Sequence, residues 1–314
     1  MEKIKKPKVS VIMPVYNAEK YITAAIESIL EQTMQNLELI IIDDCGNDSS
    51  MRMVAEFMDE RIRVISNQCN KGIAYSRNIG IREARGEYIA LMDDDDRVPL
   101  HRLQMEVDFL DNHKEIDVVG GGVLCIDELG RVISKREQVI CNPKRIKAEL
   151  LFHNIIQNGS TMMRTDFVRC NHLEYKSDYM GMEDYKFWTE CATVGNIANL
   201  DEVLLFWRRT AISETSRVER EQQFLRKVKY AELQEDALKS YGFELTTEEL
   251  TIFTKSFAEN KRQFASMENL NKIMLVLKKM IAQAEEKKME NKKELCFVCH
   301  RMYALKTENS ELWT

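Results

Sequence analysis

The chain of 314 residues has no apolar run near the ~20 residues that a membrane-spanning helix needs. No transmembrane helix is therefore expected. The opening stretch, Met1 to Lys8, is basic but leads straight into a short strand-like run, so it does not read as a signal peptide. Two phosphate-binding loops are missing as well. No Gly-x-Gly-x-x-Gly follows the first apolar run, Gly120-Gly121-Gly122 comes too late with the wrong spacing, and no Gly-Lys-Ser/Thr occurs. A nucleotide, if one binds, is held in some other way. Excess positive charge is also lacking: the net charge of −6 gives no support for general nucleic-acid binding. The eight cysteines are scattered through a chain too large to need disulfide staples, which fits a reducing, cytoplasmic setting. The glycosylation sequons at Asn47 and Asn158 carry no meaning there.

What the chain does have is a run of four acids, Asp93-Asp94-Asp95-Asp96, directly after the apolar stretch Tyr88–Met92. The apolar stretch reads as a buried strand of a mostly parallel sheet. Ionised carboxylates that close together repel one another, and a divalent cation cancels that repulsion best. Oxygen ligands suit Mg²⁺ or Mn²⁺, and Mg²⁺ is usually held by one or two carboxylates plus substrate phosphates. In open α/β sheets the ligand site lies outside the carboxyl ends of the strands. A solvated acidic loop is the plainer alternative.

The preceding residues alternate in the same sense. Val9–Met13 is a first strand ended by Pro14, followed by a helix with Ile22, Ala25, Ile26, Ile29 and Leu30 on one face. Leu37–Ile42 is a second strand, ending in Asp43-Asp44 and a polar turn. A helix with Met53, Val54 and Phe57 leads to a third strand, Ile62–Ile65. This is the order of an α/β fold with a parallel sheet. Asp44, a carboxylate just after a strand, either contacts a ribose or base edge or caps a turn. Gly72 opens a helix whose free N–H groups favour an anion, with Arg77 and Asn78 one to two turns in.

These features occur together and in order: Pro14-Val15-Tyr16-Asn17 after the first strand, Asp43-Asp44, Asn70-Lys71-Gly72 running to Arg77-Asn78, and Tyr88–Asp96. The set resembles the family-2 glycosyltransferases over roughly residues 8 to 215. That resemblance implies a GT-A fold, with a mostly parallel central sheet flanked by helices. It also implies transfer of a sugar, with inversion, from a nucleotide-diphosphate sugar (a UDP-sugar is the expectation) to a hydroxyl acceptor, in cell-surface polysaccharide or glycoconjugate synthesis. By the same resemblance Pro14, Tyr16 and Asp44 hold base and ribose. Val15, Asn17, Lys71, Arg77, Asp93 and Asp94 complete the nucleotide-sugar set. Asp93 and Asp95 are the Asp-x-Asp pair, with Asp95 on Mn²⁺ or Mg²⁺, and Asp96 orders the loop.

Further along, a helix through Leu103, Val107 and Leu110 precedes a strand at Val118–Val123. Cys125–Ile140 reads as a hairpin about Asp127–Gly130, and Lys144–Phe152 as a helix. His153–Arg164 resembles the family's acceptor-side strand. In Met182-Glu183-Asp184-Tyr185 two acids open an aromatic helix, where they favour the helix dipole. A carboxylate within hydrogen-bond reach of an acceptor hydroxyl also serves as a general base. The family carries its base in such an acidic pair, which implies Asp184, with Glu183 as the alternative. Val203–Thr210 and Ile212–Ser216 resemble the closing strand and lid, with Thr210 where many members have a His metal ligand.

From Ser216 on there is no proline and a single glycine, Gly242. The Glu/Lys-rich sequence there predicts helices, with a capped start at Thr246–Glu249. The expected division is a catalytic domain over 1–216 and a helical region over 217–314. Asn269–Met289 is amphipathic and either packs on the domain or lies on a membrane surface, as suits a saccharide or lipid-linked saccharide acceptor at the inner face of the membrane. Cys296-Phe297-Val298-Cys299-His300 matches a haem-attachment pattern. It is expected to be neither haem nor zinc, because export is not expected and no second ligand pair lies nearby. Two other readings stay open: a nucleotidyltransferase, which would need a Gly-rich basic loop after the first strand, and a non-catalytic nucleotide-sugar-binding module, which would have no use for Asp184.

Overall fold

The computed structural model describes residues 6–179, 181–209, 223–258 and 266–307. The strands are β1 (Val9–Val15), β2 (Leu37–Asp43), β3 (Ile62–Ser66), β4 (Tyr88–Leu91), β5 (Val118–Ile126), β6 (Met162–Arg164) and β7 (Ile197–Arg208). They form one sheet in the order β3-β2-β1-β4-β6-β5-β7. β1 to β4 run parallel, β6 runs antiparallel to both β4 and β5, and β7 is parallel to β5.

The helices α1 (Ile22–Leu30), α2 (Ser50–Val54), α3 (Ile73–Glu83), α4 (Arg102–Asn112), α5 (Pro143–Glu149), α6 (Thr165–Cys170) and α7 (Glu183–Val194) accompany the sheet. The period-2 alternation of side chains sends each strand to both faces. Val9, Val11 and Met13 of β1 join α1 and α4 in one core, and Ile12 joins α3, α5 and α7 in the other. Because both faces are covered, β1 and β4 are apolar almost throughout, as buried parallel strands must be.

Register places the strand ends. Val15 pairs with Asp43, and Ile12 with Leu91. The segments after β1, β2 and β4 therefore emerge side by side at one edge. Pro14 fits a central strand because of this register. Like Ile12, its missing N–H would point toward β4, which has already left the ladder after Leu91, so no ladder bond is lost.

Helices α8 (Gln223–Ser240), α9 (Thr247–Phe257), α10 (Met267–Glu286) and α11 (Lys292–Ala304) follow. The capping box at Thr246 is present: its hydroxyl accepts the Glu249 amide, and Glu249 accepts the Thr246 amide. These helices do not form a separate core. Leu233, Phe253, Phe257, Met280 and Val298 share one cluster with Phe152, Tyr185 and Trp188 of the sheet layer. Phe152 stands 5.2 Å from Phe253 and 5.1 Å from Phe257, centroid to centroid. The apolar stripe of α10 (Leu270, Ile273, Leu277, Met280) faces inward, so packing accounts for its amphipathic pattern. Among the described residues no helix is long and apolar enough to cross a membrane.

Two local expectations are corrected. Residues 125–140 form a hairpin only at its turn: Asp127 N–H donates to the Arg131 carbonyl and Ile133 N–H to that of Cys125, both at 2.9 Å, around an antiparallel Ile126–Val132 bridge, and no strand pairing continues toward Ile140 among the described residues. Asp127 draws the amides of Leu129 and Arg131 onto its carboxylate, and β5 meets β7 along its other edge. Residues 153–164 are strand only at Met162–Arg164; Asn158–Ser160 is a 3-10 turn, and Asn154 captures the Ile156 amide. Side-chain acceptors here compete with the ladder for backbone N–H groups. The expected lid, Ile212–Ser216, and Thr210 lie outside the described residues.

Candidate active site

The site forms where β1, β2 and β4 end. Asp44 is 3 % exposed and accepts three hydrogen bonds: Asn67 Nδ2 at 2.7 Å, the Lys71 amide at 2.8 Å and the Gly72 amide at 2.8 Å. It ties the loop after β2 to the start of α3, while the Lys71 side chain stays exposed. Gly72 holds φ +86°, where glycine carries no steric cost. Asn17 also has positive φ, and its Oδ1 accepts the Asn47 amide at 2.8 Å. A Cβ at Gly46 would stand 2.8 Å from that oxygen, so the turn needs glycine there. Val15 is buried, whereas Tyr16 lies half exposed at the mouth.

The four acids after β4 have separate partners. Asp93 Oδ1 accepts Arg77 Nη2 at 2.8 Å, and Asp94 Oδ2 accepts the Tyr16 amide at 3.0 Å. Asp96 is 1 % exposed and accepts the Arg208 amide at 2.7 Å, so it orders the loop against β7. Arg208 also donates to the Asp95 carbonyl at 2.7 Å. Among the described residues, no other residue donates a hydrogen bond to the Asp95 carboxylate. Burial, then Asp93, pushes its pKa up to about 6. Burial and the Asp95 charge likewise raise Asp94, against the pull of the Tyr16 amide. Asp96 is raised by burial, Asp95 and Asp93.

This arrangement fits a hard divalent cation. The carboxylates are strained by mutual repulsion, and Asp95, the least engaged of them, stands beside Asp93. No group of three or more ligating side chains closes on a single point among the described residues. Such a closed cage is not what Mg²⁺ requires when phosphates supply part of its shell.

Arg77 is the hinge of the site. It is 4 % exposed, reaches Asp93 with one nitrogen and Glu183 Oε1 with the other at 3.4 Å, and lies 5.3 Å from the Tyr175 ring centroid. Burial alone would lower its pKa; Asp93, Tyr175 and Glu183 reverse that and raise it. One buried guanidinium thus joins the acidic loop after β4 to the start of α7. Asn78, one residue on, clamps the backbone of Tyr175 through both of its amide atoms.

Glu183 and Asp184 therefore differ. Glu183 is paired with Arg77. The Asp184 carboxylate accepts its neighbour's Tyr185 amide at 2.7 Å and Asn154 Nδ2 at 3.0 Å. Burial, then the Glu183 charge, pushes its pKa up to about 7, against Arg77 and the Tyr185 amide. A carboxylate with that pKa at neutral pH is suited to taking a proton.

The structure brings Asp93, Arg77, Glu183 and Asp184 into one connected cluster and stitches Tyr16 to Asp94. Asn154, Tyr175 and Arg208 are parts of the site that sequence reasoning missed as such. Only the polar residues interrupting the apolar run at 153–164 gave a signal for Asn154. Cys299 is buried in the α11 core, and Cys296 Sγ lies 3.5 Å from His300 Nδ1 on the same helix, away from these groups.

The model of the family "Glycosyl transferase family 2" matches residues 10–171, just over half the chain. The protein belongs to that family. An uncharacterized glycosyltransferase of Haemophilus influenzae is 37 % identical over 211 residues, covering 64 % of this chain and 65 % of the relative. The Escherichia coli UDP-Glc:alpha-D-GlcNAc-diphosphoundecaprenol beta-1,3-glucosyltransferase WfgD is 42 % identical over 102 residues, 32 % of this chain and 40 % of its own. The match thus spans less than two thirds of either relative's length. In structure, S. aureus TarS 1–349 in complex with UDP-GlcNAc superposes with a TM-score of 0.64 at 19 % identity, covering 95 % of this chain and 88 % of that one. The fold is GT-A, a mostly parallel sheet with flanking and C-terminal helices.

Proposed function

We propose that the protein is a metal-dependent inverting glycosyltransferase that moves a hexosyl or N-acetylhexosaminyl group from a UDP-sugar to a hydroxyl of a saccharide or lipid-linked saccharide. The observation that carries this is the Arg77 bridge, which joins Asp93 of the acidic loop to Glu183 at the start of α7, next to Asp184. Asp95, with Asp93, would hold Mg²⁺ or Mn²⁺, whose charge offsets that of the leaving diphosphate. Asp44, Pro14, Val15, Tyr16, Asn17 and Lys71 frame the nucleotide side, and Asp94 keeps the Tyr16 loop in place. Arg77 acts on the donor by holding Asp93. Asp184 takes the proton from the acceptor hydroxyl as its oxygen attacks the anomeric carbon. The bond to the diphosphate breaks on the opposite face, its electrons leave with UDP, and configuration inverts.

The relatives support the choice of donor, since WfgD is named for UDP-Glc and TarS is seen with UDP-GlcNAc. WfgD's diphosphoundecaprenol acceptor supports a place at the inner face of the membrane in polysaccharide synthesis. The catalytic unit is assigned to 1–216 and the helical region to 217–314. The test is thermal unfolding with UDP. Stabilisation is expected with Mn²⁺ or Mg²⁺ and not with EDTA, and Asp95→Ala is expected to remove the metal-dependent part. Equal stabilisation by UDP in EDTA would count against a metal-bridged diphosphate.

A further inference from the structure

The hydrogen bond between Asn154 and Asp184 is not explained by the transfer reaction alone. Asn154 sits in the irregular segment between α5 and β6. Its Oδ1 accepts the Ile156 amide at 3.0 Å, which fixes the orientation of the side-chain amide. Oδ1 is committed to a backbone donor, so Nδ2 is the atom turned to Asp184 Oδ2, at 3.0 Å.

The segment leading to Asn154 is fastened from the C-terminal helices. The carbonyl of Phe152 accepts Gln234 Nε2 at 3.0 Å and the Tyr230 hydroxyl at 3.2 Å, both from α8. The carboxylate of Glu149, fully buried, accepts Arg145 Nε at 2.6 Å and is bonded to Arg301 of α11. Tyr185 of α7 donates its hydroxyl to the Leu150 carbonyl at 2.8 Å. Glu149, Leu150 and Phe152 are thus each anchored, and Asn154 follows two residues later.

The geometry points to Asn154 as the positioning residue of Asp184, with helices α8 and α11 acting on the site through the 149–154 segment. This rests on the reading of Asp184 as the base. A bond from Nδ2 to Oδ2, beside the Tyr185 amide on Oδ1, stabilises the ionised carboxylate and fixes the plane in which its remaining lone pairs meet the acceptor proton. The charged groups facing Asp184 are Glu183 beside it, Arg77 from α3 and Asp93 from the loop after β4. Tyr175 also faces it, and burial raises that phenol's pKa, keeping it neutral. None of these depends on Asn154 for its own partner.

The decisive variant is Asn154→Asp. It keeps the oxygen that accepts the Ile156 amide, so the turn survives, while the donor to Asp184 is replaced by a carboxylate oxygen. The probe is the Asp184 side-chain carboxyl signal in carbon-13 NMR of the full chain in Mg²⁺ buffer, assigned by its disappearance in Asp184→Asn. In Asn154→Asp the midpoint is expected to move up by about one pH unit or more, because a charged hydrogen bond is lost and a like charge gained. Asn154→Ala should move it in the same direction by less. An unchanged midpoint in Asn154→Asp would overturn the proposal, since a purely structural Asn154 would leave it in place. If the midpoint moves while Asp184→Asn still turns over UDP-glucose or UDP-N-acetylglucosamine, the positioning contact stands and the assignment of the base fails.

Discussion

Asp184→Asn is expected to lower turnover of a UDP-sugar by about 10² to 10⁴, the usual cost of removing a positioned base. Donor affinity should change by less than about tenfold, because Asp95, Asp93 and the nucleotide side are untouched. Asn matches Asp in shape but takes no proton at neutral pH. The pH profile gives a second reading. The active form is the ionised carboxylate, so wild-type rate should rise with pH toward about 7 and level off above it. Below that value it should fall by about tenfold per pH unit. The folded pKa is raised above its unfolded value, so the stability linked to this group is present at low pH and lost as pH rises through about 7. Asp184→Asn should therefore melt no lower than wild type at pH 8, which separates lost chemistry from lost folding. A variant that turns over like wild type, with Glu183→Gln inactive, would move the base to Glu183.

Arg77→Met should give the largest loss of stability, about 3–5 kcal/mol, because breaking a buried pair strands its partners. Asp93 and Glu183 would both lose their cation, with side chains 29 % and 12 % exposed. Met replaces the stem but not the charge. Adding Glu183→Gln to Arg77→Met should recover part of the stability, because one stranded charge is removed. Urea unfolding of the single and double variants measures this directly. A midpoint for Arg77→Met within experimental error of wild type would mean that the bridge does not hold the two acidic segments together.

The first half of the fold was legible because its strands are short, apolar and buried on both faces, and each ends in polar residues. Tyr88–Met92 followed by four acids could be read as a strand leading to a ligand edge without any tertiary information. The partners of Arg77 could not. Asp93 lies 16 residues away and Glu183 lies 106 away, and nothing local says that a helix start will meet that guanidinium. Asp44 shows the limit in another way. Its position after a strand suggested ligand contact, and three bonds to its own chain show that it also builds the loop. The 125–140 hairpin is shorter than its sequence suggested, pairing only about Cys125–Ile133 and Ile126–Val132, because turn residues mark where the chain reverses and not how far the returning segment stays in register. The amphipathic stripe of α10 was visible, but whether protein or lipid covers it depends on Phe253, Phe257 and their surroundings, far off in sequence.

Single displacement on a UDP-sugar with Asp184 as base would invert the anomeric centre, and the anomer formed first reads this out. Proton NMR of the first sugar released from UDP-α-glucose or UDP-α-N-acetylglucosamine, with Mg²⁺ present and water standing in for the acceptor, reads the configuration before mutarotation. The β anomer should appear first, and Asp184→Asn should release almost none. An α product formed first by the wild-type protein would contradict single displacement and the role given to Asp184.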